Sequence, residues 1–135
     1  MNPVKLVLFV CVHNSGRSQM AEALFNSMAE GQAIAGSAGI EPGERVSPAA
    51  VEAMKELGID ISRARPKLLT QEMVDRADRI ITMGCSVEAS CPALFLPKGK
   101  MEDWALVDPA GQPIERVREI RDQIVDRVRS LLQQM

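Results

Sequence analysis

The sequence predicts an open α/β fold, a parallel four-stranded sheet with helices on both faces. Three observations carry this. Val4 to Val10 is a nearly continuous apolar run, as expected of a central parallel strand covered on both sides. Strand-like segments then alternate with segments whose apolar residues recur at helical spacing. The chain closes on a long amphipathic stretch from Ile114, with Val117, Ile120, Ile124, Val128 and Leu131 on one stripe.

Each element follows from its own residues. After the first strand comes a tight loop, Cys11-Val12-His13-Asn14-Ser15-Gly16-Arg17-Ser18. Ser18 to Ala29 reads as a helix, with Met20, Ala23, Leu24 and Met28 at helical spacing and Gly31 closing it. Ala33 to Gly39 is a short second strand of small residues, and Glu41-Pro42-Gly43-Glu44 is a turn. Ser47 is a capping residue before Pro48 at the first helical position; Val51, Met54 and Leu57 form the stripe and Gly58 ends it. Asp60 to Leu69 is irregular and basic, and a short helix starts at Thr70, with Gln71, Glu72 and Asp75 in its opening turns. Arg79 to Met83 is the third strand, followed by Gly84-Cys85, and Ala93 to Leu96 is expected as a short fourth. On the C-terminal helix, Arg and Asp/Glu lie mostly off the stripe and read as a solvated face. The order β-α-β-α-(α)-β-(β)-α implies right-handed crossovers. Such sheets bind ligands outside the carboxyl ends of their strands, where Cys11 and Cys85 both fall.

Composition narrows the classes. A chain of 135 residues, 46% apolar and 25% charged, fits a single soluble domain spanning 1–135. A net charge of −2 gives no global attraction to nucleic acid or to anionic membrane. With no Tyr, one Trp and three Phe, stacking platforms for single-stranded nucleic acid are not expected. The N-terminal apolar run is too short to span a bilayer and lacks a signal-peptide cleavage site, so a cytoplasmic location is expected; separately, a monomer is the expected state, which nothing in the sequence fixes. Three cysteines, an odd number, suit catalysis or redox chemistry better than a disulfide framework.

The first loop carries the chemistry. A helix start leaves backbone N–H groups unpaired and carries partial positive charge, so it attracts oxyanions. That field, with the charge of Arg17, favours thiolate character at Cys11. Amides from Val12 to Ser18 and the planar guanidinium of Arg17 would hold a tetrahedral oxyanion against the sulfur. Asn14 and Gly16 tolerate the left-handed backbone that such an amide nest requires. Ser18 has two compatible readings, donor to the Cys11 sulfur or plain helix N-cap. His13, the only histidine, reads as a loop residue rather than a base. A zinc site from Cys11, His13, Cys85 and Cys91 does not match usual ligand spacings.

The Cys-x5-Arg loop resembles the phosphate-binding loop of the low-molecular-weight protein tyrosine phosphatases and of the arsenate reductases that share their fold. Beyond it, the chain is similar to the thioredoxin-coupled arsenate reductases over almost its whole length. The matching segments are Asn14-Ser15, Arg17-Ser18-Gln19-Met20-Ala21-Glu22, Ser37-Ala38-Gly39-Ile40, Ala53-Met54-Lys55, Asp60-Ile61-Ser62, Cys85…Cys91-Pro92, Trp104 and Asp108-Pro109-Ala110-Gly111. The resemblance implies that Cys11 attacks arsenate, Cys85 attacks Cys11 to release arsenite, and Cys91 attacks Cys85. A Cys85–Cys91 disulfide is then left for thioredoxin. An intact helix over 85–91 would separate those two Cα atoms by roughly 9 Å. A disulfide tolerates about 7 Å, so the segment is expected to be a loop or to unwind during turnover.

Asp108-Pro109 matches the general-acid loop of that fold; Pro109 biases Asp108 from helical geometry and Ala110-Gly111 supplies a turn. Glu102 and Asp103 read as surface charges and Trp104 as core. Gly16 stands where some relatives carry a second loop cysteine, which excludes an intra-loop redox pair. Lys67 falls where some relatives place an acidic residue that helps bind potassium, while Asn14, Glu22 and Ser37 match the rest of that site. No cofactor and no potassium requirement are therefore expected. Two other readings stay open: a phosphatase acting through a Cys11 thiophosphate, and a non-catalytic anion-binding or redox-sensing protein.

Overall fold

The computed structural model describes residues 5–84 and 100–135. Its elements are β1 (Lys5–Cys11), α1 (Arg17–Ala29), β2 (Ala33–Gly39), α2 (Pro48–Lys55), α3 (Gln71–Arg76), β3 (Arg79–Thr82), β4 (Met101–Asp103) and α4 (Ile114–Gln134). The sheet runs β2-β1-β3-β4 with every neighbouring pair parallel. The fourth strand of the described sheet is thus 101–103; the expected strand at Ala93–Leu96 lies outside the described residues.

Because side chains alternate along a strand, β1 feeds two cores. Val7, Phe9 and Cys11 face α1, α2 and α4, meeting Phe25, Met54, Trp104, Ile120 and Ile124. Leu8 and Val10 face the other way, against Val74 of α3, Leu69 and Ala77. The continuous apolar run of β1 is the sequence trace of this double burial. Trp104 is core as expected, 5.4 Å from the Phe9 ring.

Three local expectations need correcting. Helix α1 begins at Arg17 with Gly16 as its N-cap, so Ser18 is inside the helix and caps nothing. Ser47 does stand at the N-cap of α2, but its side chain makes no cap hydrogen bond, and the helix ends at Lys55, with Gly58 in the following turn. On α4, Arg121 is not solvated. It is 8% exposed and donates to Ala53 O and Glu56 Oε1 of the α2 end.

The β1–β3 boundary is where the chain order reverses direction across the sheet, the position at which open α/β sheets form ligand crevices. Register places Cys11 beside Gly39 and Val10 beside Thr82, so β1 delivers its cysteine to this boundary.

Candidate active site

The loop after β1 is shaped by a strap, residues 40–47, that runs against it. Ile40 N–H donates to Cys11 O, Glu41 to Val12 O, Gly43 to His13 O and Ser47 to Ser15 O. In a trans peptide, each N–H points opposite the preceding carbonyl. Engaging the carbonyls of Val12, His13 and Ser15 therefore turns the amides of His13, Asn14 and Gly16 away from the strap. The close approach needs glycine at the strap's root, since a Cβ on Gly39 would lie 2.7 Å from Val12 O. Val46, 6% exposed, pins the far end into the core.

Cys11 Sγ, on a residue 3% exposed, accepts from the Asn14 N–H at 3.1 Å and lies 2.8 Å from Ser18 Oγ. The direction of that second bond can be worked out. Lys67 N–H donates to Asn14 Oδ1, which fixes the amide's orientation because a backbone N–H only donates. Gln19 Nε2 donates to the same oxygen. Asn14 Nδ2 must then donate to Ser18 Oγ, at 2.7 Å, and the Ser18 hydroxyl hydrogen is left for the sulfur. Two donors converge on Sγ, as an anionic sulfur requires.

Arg17 is 4% exposed, and its Nη1 is held by Met83 O and Leu106 O, both at 2.8 Å. Those carbonyls belong to the end of β3 and to the loop after β4. Gly84, at φ +87°, lets the two chains touch there; a Cβ would sit 2.5 Å from Leu106 N. Nη2 lies 3.6 Å from Asp108 Oδ2. Nη1 is thus occupied, so the free edge of the guanidinium is Nη2 and Nε. Asp108 is about half exposed, and its Oδ1 accepts from Ala110 N–H in the predicted turn. No carboxylate lies in the first turn of α1, so the positive helix end is uncompensated there.

Cys11, His13, Ser15, Gly16, Arg17 and Asp108 line one cavity of about 280 Å³. Of the seven residues expected to bind oxyanion, His13, Ser15, Gly16 and Arg17 line it, and Val12, Asn14 and Ser18 do not. Asn14 and Ser18 instead hold Cys11 Sγ. Asn14 adopts the left-handed backbone at φ +53°, whereas Gly16 has φ −138° and does not. His13 is exposed, its Nδ1 against Glu41 O. Glu102 and Asp103 are exposed as expected, though each has a partner: Trp104 Nε1 and Thr82 Oγ1. Sequence reading missed Arg45, Ser47 and Pro48 on the cavity wall, because nothing local links the strap to the loop. Cys85 and Cys91, and the expectation for 85–91, lie outside the described residues.

A family model described as low molecular weight phosphotyrosine protein phosphatase matches residues 6–135. Arsenate reductase 2 of Staphylococcus epidermidis is 38% identical over 126 residues, 93% of this chain and 95% of that protein. The glutaredoxin arsenate reductase of Synechocystis sp. is 38% identical over 130 residues, 96% of this chain and 97% of that one. A solved arsenate reductase in a phosphate-binding state superposes with a TM-score of 0.84 at 36% identity, covering 97% of this chain and 98% of its own.

Proposed function

The chain belongs to the low-molecular-weight phosphotyrosine protein phosphatase family, and from that premise we propose that it reduces arsenate to arsenite. The observation that carries this is the convergence of Cys11, Arg17 and Asp108 on one small cavity in a chain 38% identical to arsenate reductases. Among the described residues no Phe, Tyr or Trp ring lines that cavity, which suits an inorganic oxyanion better than an aryl ester.

The Cys11 thiolate bonds to arsenic, and an As–OH group leaves as water with a proton from Asp108. The loop amides and the free edge of Arg17 hold the remaining oxygens. A Cys85 thiolate attacks Cys11 Sγ. The As–S bond breaks with its electron pair going to arsenic, which falls from As(V) to As(III) and departs as arsenite. Cys11 and Cys85 are thereby oxidised to a disulfide. Cys91 attacks Cys85, Cys11 leaves as thiolate, and the Cys85–Cys91 disulfide is reduced by thioredoxin, whose dithiol takes up the oxidation. The three-cysteine pattern supports this relay, and the relay requires a thiol-reducing compartment, so we place the protein in the cytoplasm. The name of the Synechocystis relative makes glutaredoxin the competing reductant.

The test is arsenate-dependent oxidation of reduced thioredoxin, with glutaredoxin alongside. Cys11→Ser should abolish turnover, and Cys85→Ser and Cys91→Ser should each abolish multiple turnover. Full multiple turnover by Cys85→Ser would sink the relay. The family model favours a second reading, phosphate monoester hydrolysis in the same cavity. Aryl phosphate turnover exceeding arsenate turnover would favour it.

No potassium requirement is proposed either. Lys67 Nζ lies 3.2 Å from Glu22 Oε1, the oxygen that also accepts from Ser37 Oγ at 2.8 Å, so an ammonium already supplies positive charge there. Exchanging sodium for potassium at constant ionic strength should leave turnover and Tm unchanged; a specific severalfold rise would contradict it.

A further inference from the structure

We propose that Arg45 is a substrate-capture residue, a rim cation that draws the anionic oxyanion into the cavity and has no hold on the uncharged product. Its position is built, although its side chain is exposed. The backbone on either side is fixed, by Gly43 N–H on His13 O and by Ser47 N–H on Ser15 O, and neighbouring Val46 is buried. Arg45 accordingly lines the same cavity as Cys11 and Arg17. The strap's two carboxylates, Glu41 and Glu44, do not line it.

Charge explains why a second cation has work there. The ion pairs among the described residues use other cations, including Arg17 with Asp108, and leave Arg45 without a carboxylate. Arg17 thus already faces one negative group, the Asp108 carboxylate 3.6 Å from Nη2. An arriving arsenate brings one to two more. Arg45 offsets that charge from the solvent side, where long-range attraction speeds encounter. Arsenous acid is neutral near pH 7, so the same cation does not retard release. Because phosphate has the same charge and shape, Arg45 sorts anions from neutral solutes rather than arsenate from phosphate.

This rests on reading the cavity as an oxyanion site and not on the relay, so the test uses inorganic phosphate. Calorimetric titration compares Cys11→Ser protein with the same protein carrying Arg45→Ala or Arg45→Lys. An exposed cation contributes modestly, so Arg45→Ala should weaken phosphate about fivefold at low salt. The gap should close near about 1 M sodium chloride, and Arg45→Lys should keep most of the affinity. Equal affinities and equal salt slopes in all three would overturn the proposal while leaving the oxyanion reading intact. Failure of the Cys11→Ser parent to bind phosphate would overturn both. A phosphate effect of Arg45 without arsenate-dependent thioredoxin oxidation would leave this proposal standing and remove the reductase.

Discussion

At the scale of the residue, the Cys11 sulfur depends on a chain of side-chain donors more than on any one group. Ser18 is fully buried, and its oxygen is the acceptor for Asn14 Nδ2 while its hydrogen serves Cys11 Sγ. Ser18→Ala strands a buried amide donor and removes one of the two donors to the sulfur. Leaving such a group unsatisfied costs about 1–3 kcal/mol, so the urea midpoint should fall and kcat with it. An unchanged midpoint would mean the network is not the support described. Cys11, Arg17 and Asp108 were legible in the sequence because each is a chemistry-bearing type inside a local motif. The anchors of Arg17 were not, since Met83 O and Leu106 O come from 66 and 89 residues away.

At the scale of the element, the long C-terminal helix is tied to α2 by more than its apolar stripe. Arg118 grips Glu56 through Nε and Nη2, and buried Arg121 reaches the same carboxylate and Ala53 O. The hydrogen bond from Arg118, followed by that from Arg121, holds the Glu56 carboxyl below its ordinary value. A carboxylate depressed in the folded state adds stability that is fully present above the unfolded value. That contribution is lost as pH falls through the folded one. Glu56→Gln should therefore lower Tm at neutral pH, with the gap to wild type narrowing below about pH 4. A gap independent of pH would show the contact to be steric. Periodicity found α4 and its core stripe, Val117 to Leu131, because burial imposes the 3.6-residue repeat. It misread Arg121, which lies at the edge of that stripe four residues after Val117 and three before Ile124, because charge marks it for solvent while its long side chain reaches a buried partner that only helix packing supplies.

At the scale of the molecule, the parallel sheet turns a strand-end cysteine into a site. The order β2-β1-β3-β4 opens a crevice between β1 and β3, and the β1 loop, the strap after β2 and the loop after β4 meet over it. The sequence by itself determined the layer architecture and marked the Cys11–Ser18 loop and the Asp108–Gly111 turn. Hydrophobic period, Gly and Pro placement and a Cys-x5-Arg spacing are all local signals. The tertiary structure decided which loop residues line the cavity and which bond to the sulfur, how Arg17 is aimed, and that Arg45 joins the wall. Those outcomes depend on carbonyl and amide directions in segments brought together by strand register, and register is a long-range quantity that no window of sequence contains.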